Sequence, residues 1–380
     1  MTNKIKAMPI PRICHLTSVH QRYDIRIFMK ECVSLASHGF EVFLVVADGK
    51  GNEQKNGVNV IDAGKPKGRL NRMIQISRKV FKMAFQLECD LYHFHDPELI
   101  PTGLHLKRKG KIVVFDAHED VTLQLLSKPY LNLFSRRLFS ILFGVFESFT
   151  CRHFDAIVTA TPSIRDKFLK MNQHVIDINN YPFPDELKSE KNTECEKKSQ
   201  ICFIGGITAI RGIKELILAM ESVKSDVRLV IGGEFSENEF LVQLNSMPGW
   251  KKVTELGFID RNEVRDVMQE SIAGMVTFLP VPNHINAQPN KMFEYMSAGI
   301  PVIASDFPLW REIIIDNHCG LCINPEDPSS IATAIDYLAT HPDETKQMGM
   351  NGKAAVKAKY HWGSEEIKLI SLYNRLLDKP

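Results

Sequence analysis

Three groups of residues in this chain have the types and spacings that chemistry needs. The first is 289–306, PNKMFEYMSAGIPVIASD. It reads as a helix opening on Pro289, whose missing N–H costs nothing in a first turn, stopping at Gly299 and followed by a buried apolar strand. Glu294 falls on that helix just past its first turns. At the mouth of an α/β crevice, a carboxylate so placed can accept hydrogen bonds from both hydroxyls of a ribose. The second group is 203–214, FIGGITAIRGIK. A strand ends there in Gly205-Gly206, and a helix begins near Arg211-Gly212. Glycines without Cβ let a diphosphate approach the main chain, and a helix N-terminus supplies N–H groups and a favourable dipole. Arg211 adds a cation and a planar fork of donors. A tight turn would explain the two glycines alone; their combination with Arg-Gly at the start of a domain favours phosphate.

The third group is rich in histidine. Thr17-Ser-Val-His-Gln-Arg-Tyr-Asp-Ile-Arg26 follows the first apolar strand and offers His20, Asp24 and Arg26, although Asp24 and Arg26 could also pair with each other. Tyr92-His-Phe-His-Asp96 ends a second strand, with His95 and Asp96 at its tip. Phe115-Asp-Ala-His-Glu-Asp120 ends a third, with His118. The carboxyl ends of parallel strands are where α/β sheets bind ligands. His-x-His and His-x-Asp spacings also suit a metal, and His93 and His95 share a face. No ligand triad closes in the sequence, however, and no metal is expected.

The elements that must position these groups alternate. Apolar runs suited to buried parallel strands occur at 13–16, 42–46, 58–61, 91–94, 112–115 and 157–160, with helical patterns between them at 26–37 and 70–85. A polar Glu-, Lys- and Ser-rich stretch, 185–200, reads as a linker. A second series follows at 201–204, 227–231, 253–257, 274–278, 302–304 and 320–323. The expectation is α/β throughout: two doubly wound, Rossmann-like parallel-sheet domains, 1–185 and 200–363, facing across a cleft, with a final helix at about 364–380.

Composition narrows the class. A chain of 380 residues favours two domains, and the formal charge of +2 conceals a basic first half, +9 over residues 1–180, and an acidic remainder at −7. No interleaved aromatics or binding modules accompany the basic residues, so nucleic acid is not the expected partner. An anionic membrane surface or a phosphate-bearing lipid fits better. The basic helix 65–85 is expected to pack its apolar stripe (Leu70, Met73, Ile74, Val80, Phe81, Ala84, Phe85) on the sheet; 133–149 reads as either core or a shallow membrane dock. No signal peptide and no membrane span are evident, which favours a cytoplasmic protein, peripheral at most at the inner face of the cell membrane. The eight cysteines are scattered, and Cys319-Gly-Leu-Cys322 reads as a plain buried strand.

The segments 205–211 and 286–306 resemble the nucleotide-sugar site of glycosyltransferase family 4, retaining enzymes of the GT-B fold, and the likeness covers nearly the whole chain. It implies transfer of a sugar from a nucleotide-diphosphate donor with retention at the anomeric carbon, without cofactor or metal. It implies that Gly205, Gly206 and Arg211 hold the diphosphate and Glu294 the ribose. Phe258 and Ile259 fall where the base lies, and His118 matches the position beside the reacting carbon of the donor sugar. His20, Asp24, Arg26, His95 and Asp96 lie on the acceptor side. The chain departs from the family pattern twice. Gly206 stands where an arginine is usual, leaving Lys291 as a substitute cation, and Asn286 stands where the first of two glutamates faces the donor sugar. The implied acceptor is a saccharide, expected to be lipid-linked, in O-antigen, capsule or exopolysaccharide assembly. A nucleotide-sugar epimerase and a non-catalytic nucleotide-sugar-binding protein are the alternatives. A dinucleotide oxidoreductase would need a glycine-rich turn after the first strand, and 17–26 contains no glycine.

Overall fold

The computed structural model describes residues 10–128, 131–183 and 197–378. The start of the chain read for a leader, and most of the polar stretch expected as a linker, lie outside these residues. The described residues form two compact units. One comprises the chain up to Asn180 together with the residues from Ser364 onward; the other is Tyr181–Gly363.

The first unit is built on an eight-stranded sheet. Its strands are β1 (Arg12–Leu16), β2 (Glu41–Val46), β3 (Glu53–Lys55), β4 (Val58–Asp62), β5 (Leu91–Phe94), β6 (Ile112–Ala117), β7 (Ala156–Thr159) and β8 (Val175–Asp177). The order is β3-β4-β2-β1-β5-β6-β7-β8, and only β3 runs antiparallel to its neighbour. The central strands are buried, which is why β2 after Glu41, and β7, read as apolar runs; β5 is buried throughout although it carries Tyr92 and His93. Two short edge strands were not anticipated. β3 joins β4 through Asn56-Gly57, both at positive φ (48° and 78°), an Asn-Gly hairpin signal that was present in the sequence.

The second unit is a six-stranded, all-parallel sheet in the order β11-β10-β9-β12-β13-β14. Its strands are β9 (Gln200–Ile204), β10 (Arg228–Gly232), β11 (Val253–Gly257), β12 (Ala273–Val276), β13 (Val302–Ser305) and β14 (Gly320–Ile323). In each sheet the order reverses once beside the first strand, between β1 and β5 and between β9 and β12. At such a point the helices that follow the two strands leave on opposite faces and a crevice opens at their carboxyl ends.

Two helices depart from α geometry. Ile25–Cys32 is a π-helix that passes into an α-turn at Val33–Ser37, and Arg72–Ile76 is a second π-turn between Arg69–Asn71 and Ser77–Gln86. The second corrects the expected stripe of 65–85. The wide turn rotates the helix, so Ile76, Val80 and Ala84 pack on the sheet while Leu70, Met73 and Ile74 face outward. The helix Leu133–Cys151 likewise buries little: Glu147, Thr150 and Cys151 are inside, whereas Leu133, Phe134, Ile141, Leu142, Val145 and Phe149 are exposed. No helix among the described residues is long and apolar enough to cross a membrane.

The carboxyl edge of the second sheet is tightly fitted. Gly233, at φ 146°, brings its α-carbon so close to β9 that an added Cβ would lie 2.0 Å from the carbonyl oxygen of Gly205. A Gly233→Ala variant therefore meets both an unfavourable φ and a backbone clash, worth at least about 2 kcal/mol, and should lower Tm by roughly 4–8 °C. Gly257→Ala is the control, with φ 65° but open space around the new methyl; its loss should be about half as large. Differential scanning fluorimetry of the two variants checks this.

Candidate functional site

In the second unit, the loop after β9 spans the point where the strand order reverses. Leu279 N–H donates to Ile210 C=O at 2.9 Å, tying the loop to the end of β12. Gly212 (φ 72°) makes the approach possible, since a Cβ there would sit 1.9 Å from the Thr277 carbonyl oxygen. The turn Gly205-Gly206 ends up partly open to solvent, with Arg211 folded back beneath it. One guanidinium nitrogen donates to Gly206 C=O at 2.9 Å, and the guanidinium carbon lies 5.3 Å from the centre of the Phe278 ring. Arg211 is half-buried, and burial alone pushes its pKa down. Among the described residues no carboxylate pairs with it. A partly desolvated guanidinium without an acid is a site for an anion from solution.

Glu294 lies on the helix Asn290–Ala298. Pro289 is the residue that caps this helix rather than part of its first turn, and Gly299, at φ 75°, closes it. The Glu294 carboxylate is buried, and burial would raise its pKa. Lys291 and Arg261, both on Oε2, outweigh burial and hold the pKa below the usual range. Arg261 was missed in the sequence. It opens the helix Arg261–Glu270, capped by Asp260 and Glu263 in a reciprocal pair; that D-x-x-E pattern was legible, but its proximity to Glu294 was not. Lys291 spends its ammonium on Glu294 and is not directed at the glycine turn. Asn286 is exposed just after the short helix Pro282–Ile285, Phe258 is 76% exposed, and Ile259 packs partly against Gly232.

In the first unit the histidine groups converge where β1 and β5 end. Asp116, at the end of β6, is the hub. Arg26 holds it with two aligned bonds of 3.0 and 2.9 Å, while His95 Nδ1 and His118 Nε2 lie 3.1 and 2.9 Å from its Oδ2. Arg26 does not face solvent; its remaining donor reaches Ile178 C=O at 2.7 Å. Asp24 caps the π-helix by accepting from the N–H groups of Arg26 and Ile27, so the two side chains do not pair with each other. Asp96 is equally committed. It accepts from Ser18 and Val19 N–H and from the Thr17 and Ser18 hydroxyls, and it pairs with His20 at 3.0 Å. Burial works against its ionisation, but His20 and the Ser18 N–H prevail and hold it at about 2. Burial also lowers the His20 pKa, yet Asp96 raises it more.

The outer members of this network are His20 and His118, with ring centres 5.0 Å apart and side chains 28% and 19% exposed. The inner members are fully buried. His95, pushed down to about 4 by burial, contacts His15 at 2.9 Å, and Tyr373 of the C-terminal helix Trp362–Leu377 lies 2.6 Å from His93 and 3.0 Å from His15. His15 and Glu31 were not singled out from the sequence. The signal for His15 was its strand register, and a single sequence does not reveal that β1 pairs with β5.

Two family models divide the chain between them. One described as glycosyltransferase family 4 matches residues 29–177, and one described as glycosyl transferases group 1 matches 184–355. The chain is a glycosyltransferase, with a family 4 domain followed by a group 1 domain. Its two parallel-sheet units are those of the GT-B fold. The D-rhamnosyltransferase WbpZ of Pseudomonas aeruginosa is 25% identical over 295 residues, 73% of this chain and 72% of that protein. An uncharacterised glycosyltransferase of Methanocaldococcus jannaschii is 27% identical over 181 residues, 47% of this chain and 45% of the relative, so less than half of that protein is matched. Among solved structures, Anabaena HepE in complex with UDP and glucose superposes with a TM-score of 0.75 at 13% identity, covering 96% of this chain and all of the other.

The Asp96 contacts of this glycosyltransferase make a pH prediction. A carboxylate whose pKa drops from 3.8 to about 2 on folding contributes about 2 kcal/mol that is fully present above the unfolded value and is lost as pH falls through the folded one. The His20 partner, raised on folding, contributes below its unfolded value near 6.5 and loses its share as pH rises through the folded value. Asp96→Asn should therefore shift the urea midpoint most between about pH 4 and pH 6.5, with the gap to wild type closing toward about pH 2. A gap independent of pH would show that geometry rather than charge makes the contact.

Proposed function

We propose that this GT-B glycosyltransferase moves a sugar from a nucleoside-diphosphate donor to a saccharide acceptor with retention at the anomeric carbon, using its own cations rather than a metal at the diphosphate. The observation that carries the proposal is Arg211, half-buried, without an acidic partner among the described residues, and folded under an open Gly205-Gly206 turn. Charge that develops on the leaving phosphate would meet this guanidinium and the Gly206 N–H, the Gly205 N–H being already donated to Gly232 C=O at 2.8 Å. Glu294, kept ionised by Lys291 and Arg261, would accept from the ribose hydroxyls; Lys291, the second candidate cation, would have to exchange Glu294 for the phosphates. Asn286 would read the sugar through neutral hydrogen bonds, with Phe258 and Ile259 beside the base. His118 would contact the transferred sugar, and His20 the acceptor. Arg26, Asp24, His95 and Asp96 would position these two rings from behind.

Among the described residues, the carboxylates nearest the proposed groups, Glu294, Asp96 and Asp116, are each held by cations or loop donors, so none is assigned as acid or nucleophile of a double displacement. Front-face displacement, in which the leaving phosphate takes the acceptor's proton, accommodates that. The relative named for D-rhamnose transfer and the neighbour solved with UDP and glucose set the first donors to test. A thermal-shift panel of nucleotide sugars, followed by transfer assays, should show stabilisation by one donor class. Arg211→Ala should then lower kcat/KM by about 10²–10³-fold; normal turnover in that variant would remove the proposal's main support. Donor consumed without acceptor would indicate an epimerase, and binding without turnover a non-catalytic protein.

The acceptor we propose is lipid-linked, as in O-antigen, capsule or exopolysaccharide assembly, and reached from an anionic membrane. Leu138, Ile141, Leu142, Val145 and Phe149 form one exposed stripe on the helix Leu133–Cys151, flanked by Arg137 and Arg152. Apolar side chains at that spacing with basic neighbours suit the headgroup boundary of an anionic leaflet. An Ile141→Glu/Val145→Glu variant should lose at least about tenfold in partition to anionic phospholipid vesicles at low salt. Equal flotation of variant and wild type would exclude this helix as the dock, and no flotation of either would exclude the membrane route.

A further inference from the structure

We propose that the first unit holds a structural divalent cation of the zinc class on His15, Glu31, His93 and His95. The inference is independent of the reading of donor and acceptor above. The sheet itself assembles three of the four ligands. His15 and His93 are register partners on parallel β1 and β5, so they share a face, and His95, just beyond the end of β5 and two residues further on, returns to it. The fourth, Glu31, comes from the π-helix Ile25–Cys32, a wide turn of the kind that recurs at functional sites.

The four candidate ligand atoms lie close together. Glu31 Oε2 lies 3.9 Å from His15 Nδ1, 3.9 Å from His93 Nδ1 and 4.0 Å from His95 Nε2. All four residues offer atoms within 4.8 Å of one another. Tetrahedral bonds of about 2.0–2.2 Å place ligand atoms roughly 3.3 Å apart, so the three Glu31 distances must contract by about half an ångström and the 2.9 Å between His15 Nδ1 and His95 Nε2 must open by a little less. Both are side-chain adjustments.

Polar accounting points the same way. All four side chains are completely buried. Neither Glu31 oxygen has an aligned hydrogen-bond partner. Arg26 Nε comes within 3.1 Å of Oε1, but its aligned bonds go to Asp116 and Ile178. A carboxylate in the interior with no aligned donor is costly, and a cation among the three imidazoles would give Oε2 its partner. The surrounding shell is also that of a metal centre. His95 turns Nε2 inward while its Nδ1 meets Asp116, and His15 turns Nδ1 inward while its Nε2 meets the Tyr373 hydroxyl. His93 differs: its Nδ1 meets the Tyr373 hydroxyl at 2.6 Å and would exchange that partner for the ion, while its Nε2 has no partner. The neighbouring group of His95, Asp116 and His118 is a weaker candidate, since Asp116 is already filled by Arg26. With no exposed ligand, the proposed ion would tie β1, β5 and the π-helix together, and its role would be structural.

The competing arrangement is metal-free, with a proton on Glu31 and neutral imidazoles. Elemental analysis of the whole chain, produced without a polyhistidine tag, separates the two. The expected result is about one zinc-class ion per chain, falling below about a tenth in Glu31→Gln and in His93→Gln variants whose circular dichroism is unchanged. Cobalt added after chelation should give the visible bands of a four-coordinate nitrogen–oxygen site, saturating at about one equivalent. Absence of bound metal together with absence of those bands overturns the proposal and leaves the protonated network. Full metal content in folded Glu31→Gln and His93→Gln places the ion elsewhere and overturns it equally. If neither variant folds, the wild-type cobalt spectrum decides alone.

Discussion

The buried pair between Arg26 and Asp116 is the interaction on which the first unit's polar architecture depends. Arg26 arrives from the π-helix, Asp116 from the end of β6, and the third guanidinium donor reaches Ile178 C=O beyond β8. One side chain thus ties a helix to two strands on the far side of the switch point. Removing either partner would strand a charge in the interior, which typically costs about 3–5 kcal/mol. Burial favours the neutral form of each group, yet Arg26 keeps Asp116 ionised, and the ionised carboxylate then orients His95 and His118. The loop Thr17–His20 is organised in the same way by Asp96. Both rings nearest solvent are held from below by a carboxylate that no ligand can reach.

The second unit solves a different problem. On the donor reading proposed above, a diphosphate would need main-chain N–H groups at close range, and side chains would obstruct them. Glycines at 205, 206, 212, 232 and 233 clear the carboxyl edge, and the close approaches at Gly212 and Gly233 hold it rigid. The positive charge is supplied sparingly. Among the described residues Arg211 stands without an acid, whereas Lys291 and Arg261 both meet Glu294. The glycine edge therefore presents a net attraction to anions, while the Glu294 region presents an acceptor.

Much of this was legible in the sequence because parallel sheets buried on both faces give continuous apolar runs. All twelve expected strands are present, 91–94, 253–257 and 320–323 with their expected bounds, and Glu294 sits on the expected helix before Gly299. The failures share a cause. His15, Glu31 and Arg261 acquire meaning only from strand order and helix packing, which no local pattern encodes. The π-turns were also invisible, because an apolar set at 70–85 satisfies a 3.6-residue period until one wide turn shifts its phase, as the exposure of Leu70, Met73 and Ile74 records. The carboxylates Asp24 and Asp96 looked like ligand groups because their chemistry fits; burial and hydrogen bonding show that they are consumed by the loops they cap.

That last point changes how the five residues implied on the acceptor side can act. Arg26, His95 and Asp96 are buried, Asp24 is committed to a helix end, and of the five His20 alone offers a ring edge to solvent, beside that of His118. Their separation of 5.0 Å between ring centres suits two hydroxyl-bearing groups lying side by side. Of the two, His20 is biased toward the charged form by Asp96, whose own ionisation is secured by four donors in the loop. His118 shares the Asp116 oxygen with His95 and Arg26, so that oxygen's negative charge is already largely answered. The rim thus places a ring with a dedicated counter-charge beside one without.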